Sequence, residues 1–202
     1  FGLFDEELWH LYLDVRILLG LAKRLDEKSV RRVRIIRALN NAVNAFGDDQ
    51  KKTIEARECL KLELRKSASA SDLKVSAIGH AHIDTGWLWP VRETVRKCAR
   101  TFATQLDLIE KYPDYIFGAS QPQHYQFMKD NYPEIYSRIK EAVKKTQWEL
   151  QGGMWVEADC NLISGESMIR QILHGKNFFK EEFGIEVNNL WLPDVFGYSA
   201  AL

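Results

Sequence analysis

Two histidines and an aspartate alternate in His80-Ala81-His82-Ile83-Asp84. Alternate residues of an extended chain point the same way, so two or three of these side chains can meet one ion. Imidazole with carboxylate, and no thiolate, suits zinc, cobalt, iron or manganese. A plainer reading has His80 capping a strand end while His82 and Asp84 pair with each other. Trp87-Leu88-Trp89 follows in the same turn. Indole faces beside polar groups are platforms for sugar rings, although buried tryptophans are as often core residues. A further carboxylate, Asp194, stands between Pro193 and the turn-prone Gly197 in Leu192-Pro193-Asp194-Val195-Phe196-Gly197-Tyr198. It can bind metal or act as nucleophile or base there, or simply cap a helix. His10, His124 and His174 lie in helical patterns and are given no chemistry.

These residues need elements to bring them together. Residues 1–67 read as helical: Leu8, Leu11, Val15, Leu18, Ala22 and Leu25 recur at three- and four-residue steps, and Val30, Val33, Ile36, Leu39, Val43 and Phe46 repeat the pattern up to a capping Gly47. A third, weaker helix carries Ile54 and Leu60. This first third has no chemistry of its own and reads as a packing subdomain. Small and polar residues at 67–72 mark a boundary. The periodicity then predicts strands near 73–79, 115–119, 148–151 and 189–192. Helices come between them: one from Pro90, one or two over 122–145, and one over 165–183 stopped by Gly184. Strand–helix alternation favours a parallel sheet covered by helices, an α/β fold. Ligand chemistry in such folds gathers at the carboxyl ends of strands. The unusual residues fall there: His80, His82 and Asp84 after the first strand, Gln121 and Gln123 after the second, Gly152 to Asp159 after the third, and Asp194 after the fourth.

Composition bounds the partners. Lys plus Arg and Asp plus Glu number 28 each among 202 residues, so the zero net charge points to neither nucleic acid nor a membrane surface. The longest apolar stretch, residues 15–22, is far too short to span a bilayer. No signal peptide is seen, the chain starts at Phe1 and stops just after a motif, and both ends read as cut. Cys59, Cys98 and Cys160 are odd in number and widely spaced, and no Asn-x-Ser/Thr sequon occurs. A reducing, cytoplasmic setting is expected.

Three ordered motifs resemble glycoside hydrolase family 38, the α-mannosidases. His80-Ala81-His82-Ile83-Asp84-Thr85-Gly86-Trp87 is similar to the family's H-x-H-x-D-x-x-W segment. Gly152-Gly153-Met154-Trp155-Val156-Glu157-Ala158-Asp159 is similar to its GG-W-V-D segment, with Met154 inserted, and Asp194-Val195-Phe196-Gly197-Tyr198-Ser199 to its D-x-FG-x-S segment. Trp-Leu-Trp-Pro and Glu157-Ala158-Asp159 lean toward the cytosolic and bacterial branch. The resemblance covers residues 74–202 and implies the N-terminal part of a seven-stranded β/α barrel, cut at its C-terminal side. It implies one divalent metal, zinc first and cobalt next, held by His82, Asp84 and Asp194. Asp194 is also the implied nucleophile of a retaining hydrolysis of terminal α-linked mannose. Trp87 and Phe196 line the implied mannosyl pocket, and His80 and Asp159 stand behind the ligands without touching the ion.

The family's fourth ligand, a histidine, and its general acid, an aspartate, have no counterpart here, so the 202 residues alone are expected to turn nothing over. The expected substrate is an α-mannoside oligosaccharide, and association into a homo-oligomer stays open. The rival enzyme reading is another metal-dependent carbohydrate hydrolase such as a polysaccharide deacetylase, whose metal activates water. A non-haem iron oxygenase fits the βα alternation poorly. A chain that binds metal or partners without turnover is the non-enzymatic alternative.

Overall fold

The computed structural model describes residues 2–47, 49–67 and 75–200. The chain divides into two compact units, Phe1–Lys74 and Val75–Leu202. Residues 68–72 of the expected boundary, and 73 and 74 of the expected first strand, lie outside the described residues.

The first unit is three helices: α1 Glu6–Arg24, α2 Val30–Phe46 and α3 Thr53–Leu64. Asp5 starts α1 by accepting the Leu8 N–H at 3.0 Å, with Glu6 and Glu7 in the first turn and Lys23 and Arg24 in the last. Its core stripe is the expected one, with Leu11, Leu18 and Ala22 buried and Leu8, Val15 and Leu25 beside them. The stripe expected for α2 is corrected. Ile35, Ala38 and Ala42 are buried, whereas Val30, Val33, Ile36 and Val43 are exposed, and of the expected stripe only Leu39 and Phe46 pack against the core. The alanine-bearing stripe lets α2 approach its neighbours closely, toward Ala56 and Leu60 of α3, and the bulkier valine stripe is left outside. Arg57 of α3 ties back to α1 through Asp14 at 3.0 Å and Glu7 at 2.6 Å.

The second unit holds a parallel sheet in the order β1 Gly79–His80, β2 Phe117–Ala119, β3 Trp148–Leu150, with Gly79 opposite Phe117 and Phe117 opposite Trp148. The connections carry α4 Val91–Lys111 and the pair α5 Pro122–Asn131 and α6 Pro133–Lys144, and α7 Gly165–Phe183 follows β3. Pro133 splits what the pattern left as one or two helices, and Gly184, at φ 71°, ends α7 as expected. Helices before parallel strands make this a partial α/β fold. Three strands form among the described residues, not four. Residues 189–192 make no ladder, because the Asn189 side chain, rather than its backbone, accepts the Gly152 N–H at 3.2 Å beyond β3.

Beneath the sheet lies an aromatic core. Trp148 meets Phe117 and Phe102 edge-on at 4.8 and 5.1 Å. The Trp148 indole N–H donates to the Tyr125 hydroxyl at 2.9 Å, and that hydroxyl donates to the Ala119 carbonyl at 2.8 Å. Aromatic Tyr and Trp thus fill the core while their polar atoms stay paired. Glu182 locks the outer helices: it accepts from Lys129 of α5 at 2.6 Å and from Tyr136 and Lys140 of α6 at 2.8 and 3.2 Å. The Lys129 ammonium first, then the Tyr136 and Lys140 donors, hold its carboxyl down at about 2, against the opposing effect of burial.

A carboxyl depressed in the fold adds stability above its ordinary pKa, and that stability is lost as pH falls toward the folded value. Glu182→Gln is therefore expected to cost about 1–2 kcal/mol at pH 7, between an exposed ion pair and a buried charged hydrogen bond. Denaturant melts of both proteins should show the gap closing between about pH 5 and pH 2. A gap that is constant across that range would dismiss the carboxylate's role.

Candidate functional site

The loop leaving β1 is pinned from below by Thr94, a fully buried residue in the first turn of α4. Its hydroxyl donates to the Asp84 carbonyl and accepts from the Gly86 N–H and the Trp89 indole N–H, all at 3.0 Å. From the β2 side, the Gln121 amide donates to the Ile83 carbonyl at 2.9 Å, and its oxygen accepts from the Thr85 hydroxyl at 2.8 Å. That hydroxyl has one proton, already committed, so His124 Nε2, 2.8 Å away, donates to it. His124 is buried and neutral, pushed down to about 3 chiefly by burial and also by the charge of His82. The sequence reading gave His124 nothing to do; the structure makes it a brace of the 81–89 loop.

On this scaffold three expected ligands converge. His82 Nε2 lies 3.2 Å from Asp84 Oδ1 and 3.5 Å from Asp194 Oδ2, and the three donor atoms fall within 4.8 Å of one another. Bonds of ~2.0–2.2 Å from one ion to N and O ligands put neighbouring donors roughly 3.3–3.6 Å apart. The 3.5 Å spacing falls in that range and the 3.2 Å spacing just below it, so the donor set suits a small divalent cation in its chemistry. His82 Nδ1, the other ring nitrogen, lies 2.7 Å from Glu157 Oε2. The pair is at hydrogen-bonding distance without being aligned as a bond. Burial pushes the Glu157 carboxyl up, opposed by hydrogen bonding from Ser120 and then by His82 and Gln121.

The remaining expected residues are placed as follows. His80 does not join the cluster: its ring packs on Trp191 at 4.8 Å, and its buried Nε2 has no hydrogen-bond partner among the described residues. Burial, and then the charge of His82, lowers its pKa. Asp159 accepts the Asn161 N–H at 2.8 Å and closes a local turn, and the carboxylate against His82 is that of Glu157. Trp87 is 65% exposed and meets Trp89 edge-on at 5.2 Å, so it is no core residue. Phe196 is 91% exposed, and the Asp194 side chain 57%. The loop bearing both is closed by the Tyr198 hydroxyl on the Leu192 carbonyl at 2.6 Å. Gly197 has no positive φ, and a side chain there would strike that of Asn161. The paired glycines do turn, with Gly152 at φ 83° and Gly153 at φ 48°, and Gly175 of α7 packs so closely on Gly153 and Met154 that no side chain fits.

Sequence reasoning gave no role to Glu157, Gln121, Thr94 or His124, although Gln121 stood out as a polar residue at the end of a strand and Glu157 lay within the motif after the third strand.

Parallel strands with polar side chains crowded at their carboxyl ends are the arrangement in which β/α enzymes build their sites. Residues 72–202 match the glycosyl hydrolases family 38 N-terminal domain. The chain is 43% identical over 202 residues to human "Alpha-mannosidase 2C1", covering 100% of this chain and 19% of that one. It is 42% identical to "Alpha-mannosidase G" of Dictyostelium discoideum, covering 98% and 18%, and 36% identical to "Alpha-mannosidase" of Saccharomyces cerevisiae, covering 95% and 19%. The chain belongs to glycosyl hydrolase family 38 and spans about a fifth of the length of these relatives. Among the described residues no helix is long and apolar enough to cross a membrane.

Burial separates two side chains of this rim. Gln121→Leu strips partners from the Ile83 carbonyl and the Thr85 hydroxyl and is expected to cost at least about 2 kcal/mol. Trp87→Ala should stay within about 0.5 kcal/mol, as exposed substitutions do. Thermal melts of the two variants check this, and a larger loss for Trp87→Ala would return that ring to a packing role.

Proposed function

We propose that the protein hydrolyses terminal α-linked mannose of oligosaccharides by a metal-dependent, configuration-retaining mechanism, with Asp194 as nucleophile. The observation that carries this is the convergence of His82, Asp84 and Asp194 from two separate loops on one point, within 4.8 Å. The family and its α-mannosidase relatives support the substrate class. When bound, a divalent ion, zinc before cobalt, supplies positive charge that holds the sugar's vicinal hydroxyls and offsets charge developing there.

The chain's own residues do the rest. The exposed Trp87 and Phe196 offer ring faces to the mannosyl ring. The Asp194 carboxylate is open to the rim, and its Oδ attacks the anomeric carbon while the glycosidic C–O bond breaks. The departing oxygen takes a proton from a general acid that the family supplies outside these residues. Water then cleaves the Asp194 ester, the same acid returning as base, and two inversions leave the configuration retained. The protein is read as cytoplasmic, since Cys59, Cys98 and Cys160 stay free and burial pushes the Cys98 thiol up to about 12.

Asp194→Asn in the complete enzyme should abolish turnover, because an amide is a poor nucleophile. Mass spectrometry after reaction with a 2- or 5-fluoro mannosyl fluoride should find the sugar ester on the wild-type peptide that contains Asp194. Label on another carboxylate, or inverted product, would sink the assignment. Metal content offers a separate check. His82→Ala should strip the ion, whereas His80→Ala, which removes a ring packed at a tilt against Trp191, should weaken it by no more than about 100-fold. Metal analysis after dialysis showing the reverse order would exchange the two roles.

A further inference from the structure

Glu157 has no role in the mechanism above, yet its carboxylate is the most firmly held acid of the rim. Ser120 Oγ donates to its Oε1 at 2.6 Å, and its own backbone N–H donates to Gln121 Oε1 at 3.3 Å. The side chain is 5% exposed. A buried carboxylate oxygen needs a partner, and among the described residues Oε2 has none apart from His82 Nδ1, itself buried and otherwise unpartnered there, 2.7 Å away. The opposite ring nitrogen, Nε2, faces Asp84 Oδ1 and Asp194 Oδ2.

A neutral imidazole carries one N–H, and the group facing one nitrogen decides which of the two bears it. An ionised carboxylate only accepts. Glu157 therefore favours the proton on Nδ1 and leaves the Nε2 lone pair directed at the two aspartates. From this geometry we infer that Glu157 is the positioning residue of the site, fixing the tautomer and tilt of His82 so that Nε2 is presented as a ligand. The inference rests on the reading of His82, Asp84 and Asp194 as a metal site. It also ties the three strand ends into one chain of contacts: Glu157 from the loop after β3, Ser120 from the end of β2 and His82 from the loop after β1. The Ser120 hydroxyl spends its proton on Oε1, which turns Oε2 toward the imidazole. Asp159, two residues on, is occupied with Asn161.

Zinc titrated into the chelator-stripped complete protein tests this, with affinity as the readout and no turnover required. Glu157→Leu fills the same space without an acceptor and should weaken zinc binding by about 10–100-fold. Glu157→Gln keeps an oxygen for Nδ1–H and should recover most of that loss. Unchanged affinity in Glu157→Leu would overturn the inference, as would equal losses in both variants accompanied by equal drops in melting temperature, which would assign Glu157 to packing. Should Glu157→Leu fail to fold, Ser120→Ala leaves the carboxylate in place without its anchor. A measurable weakening supports the positioning role, and an affinity equal to wild type refutes it. Wild-type protein that takes up no zinc would instead defeat the ligand reading itself.

Discussion

Gln121 holds its backbone at φ 62°, ψ 85°, immediately before the proline that opens α5. A left-handed conformation in a residue with a side chain costs about 1–3 kcal/mol, and it persists where its surroundings over-determine it. Here they do. The buried amide donates to the Ile83 carbonyl and accepts from the Thr85 hydroxyl and the Glu157 N–H, so one side chain bonds the loops after β1 and β3. Hydrogen bonds worth about 1 kcal/mol each, net, offset strain of that size. An ordinary backbone at 121 would turn the amide away, and the His82, Asp84 and Glu157 side chains would lose their common frame.

The apolar layer below supplies what the amide cannot, a fixed strand end to work from. Trp148 packs edge-to-face with Phe102 and Tyr125 with Phe179, and the chain of donors from the Trp148 indole through the Tyr125 hydroxyl stops on the Ala119 carbonyl, two residues before Gln121. Burial raises the Tyr125 phenol, so it keeps its proton as a donor at any working pH. Thr94 does for the 84–89 loop what Tyr125 does for β2, joining a helix to the backbone beside the site. Core packing and site geometry are therefore coupled through these hydroxyls as well as through Ile83, which joins the apolar core between His82 and Asp84.

Much of this was legible in the sequence, and the pattern of what was not is physical. The face of α1 could be read because its large apolar residues make one stripe, and the end of α7 because a glycine stops it. The α2 face was misread because its sequence carries two stripes, and choosing between them needs the partner helix. The fourth strand failed because periodicity reports which residues are apolar, not which backbone groups find a ladder. At the rim, His82, Asp84 and Asp194 were singled out from residue type and position at strand ends, the family resemblance suggested their roles, and the structure brings the three together. Glu157, Gln121 and His124 escaped because they act through partners 36 to 39 residues away, or, for Glu157 and His82, through a contact between two motifs. Local spacing encodes none of that pairing. Asp159 stood out in the motif instead of Glu157, two positions earlier, and only the turn with Asn161 separates the two.

The charges gathered at the rim set a constraint of their own. The Asp84 and Asp194 oxygens lie within 4.8 Å of each other, and two unit negative charges at that distance repel by about 3 kcal/mol at an effective dielectric near 20. Exposure of Asp194 reduces this, but Glu157 adds a third carboxylate on the far side of the same imidazole. Among the described residues the ion pairs of Asp84 and Asp194 are with His82 alone, and no lysine or arginine shares in them. A single imidazolium offsets one of three negative charges, whereas a divalent cation at Nε2 offsets two and lets Nδ1–H serve the third. Proton and cation compete for Nε2, because the nitrogen carries one or the other. The carboxylate excess thus favours a cation over a proton at Nε2 under the proposed reading, and Glu157, on the far side of the imidazole, is the carboxylate that the fold has buried and braced.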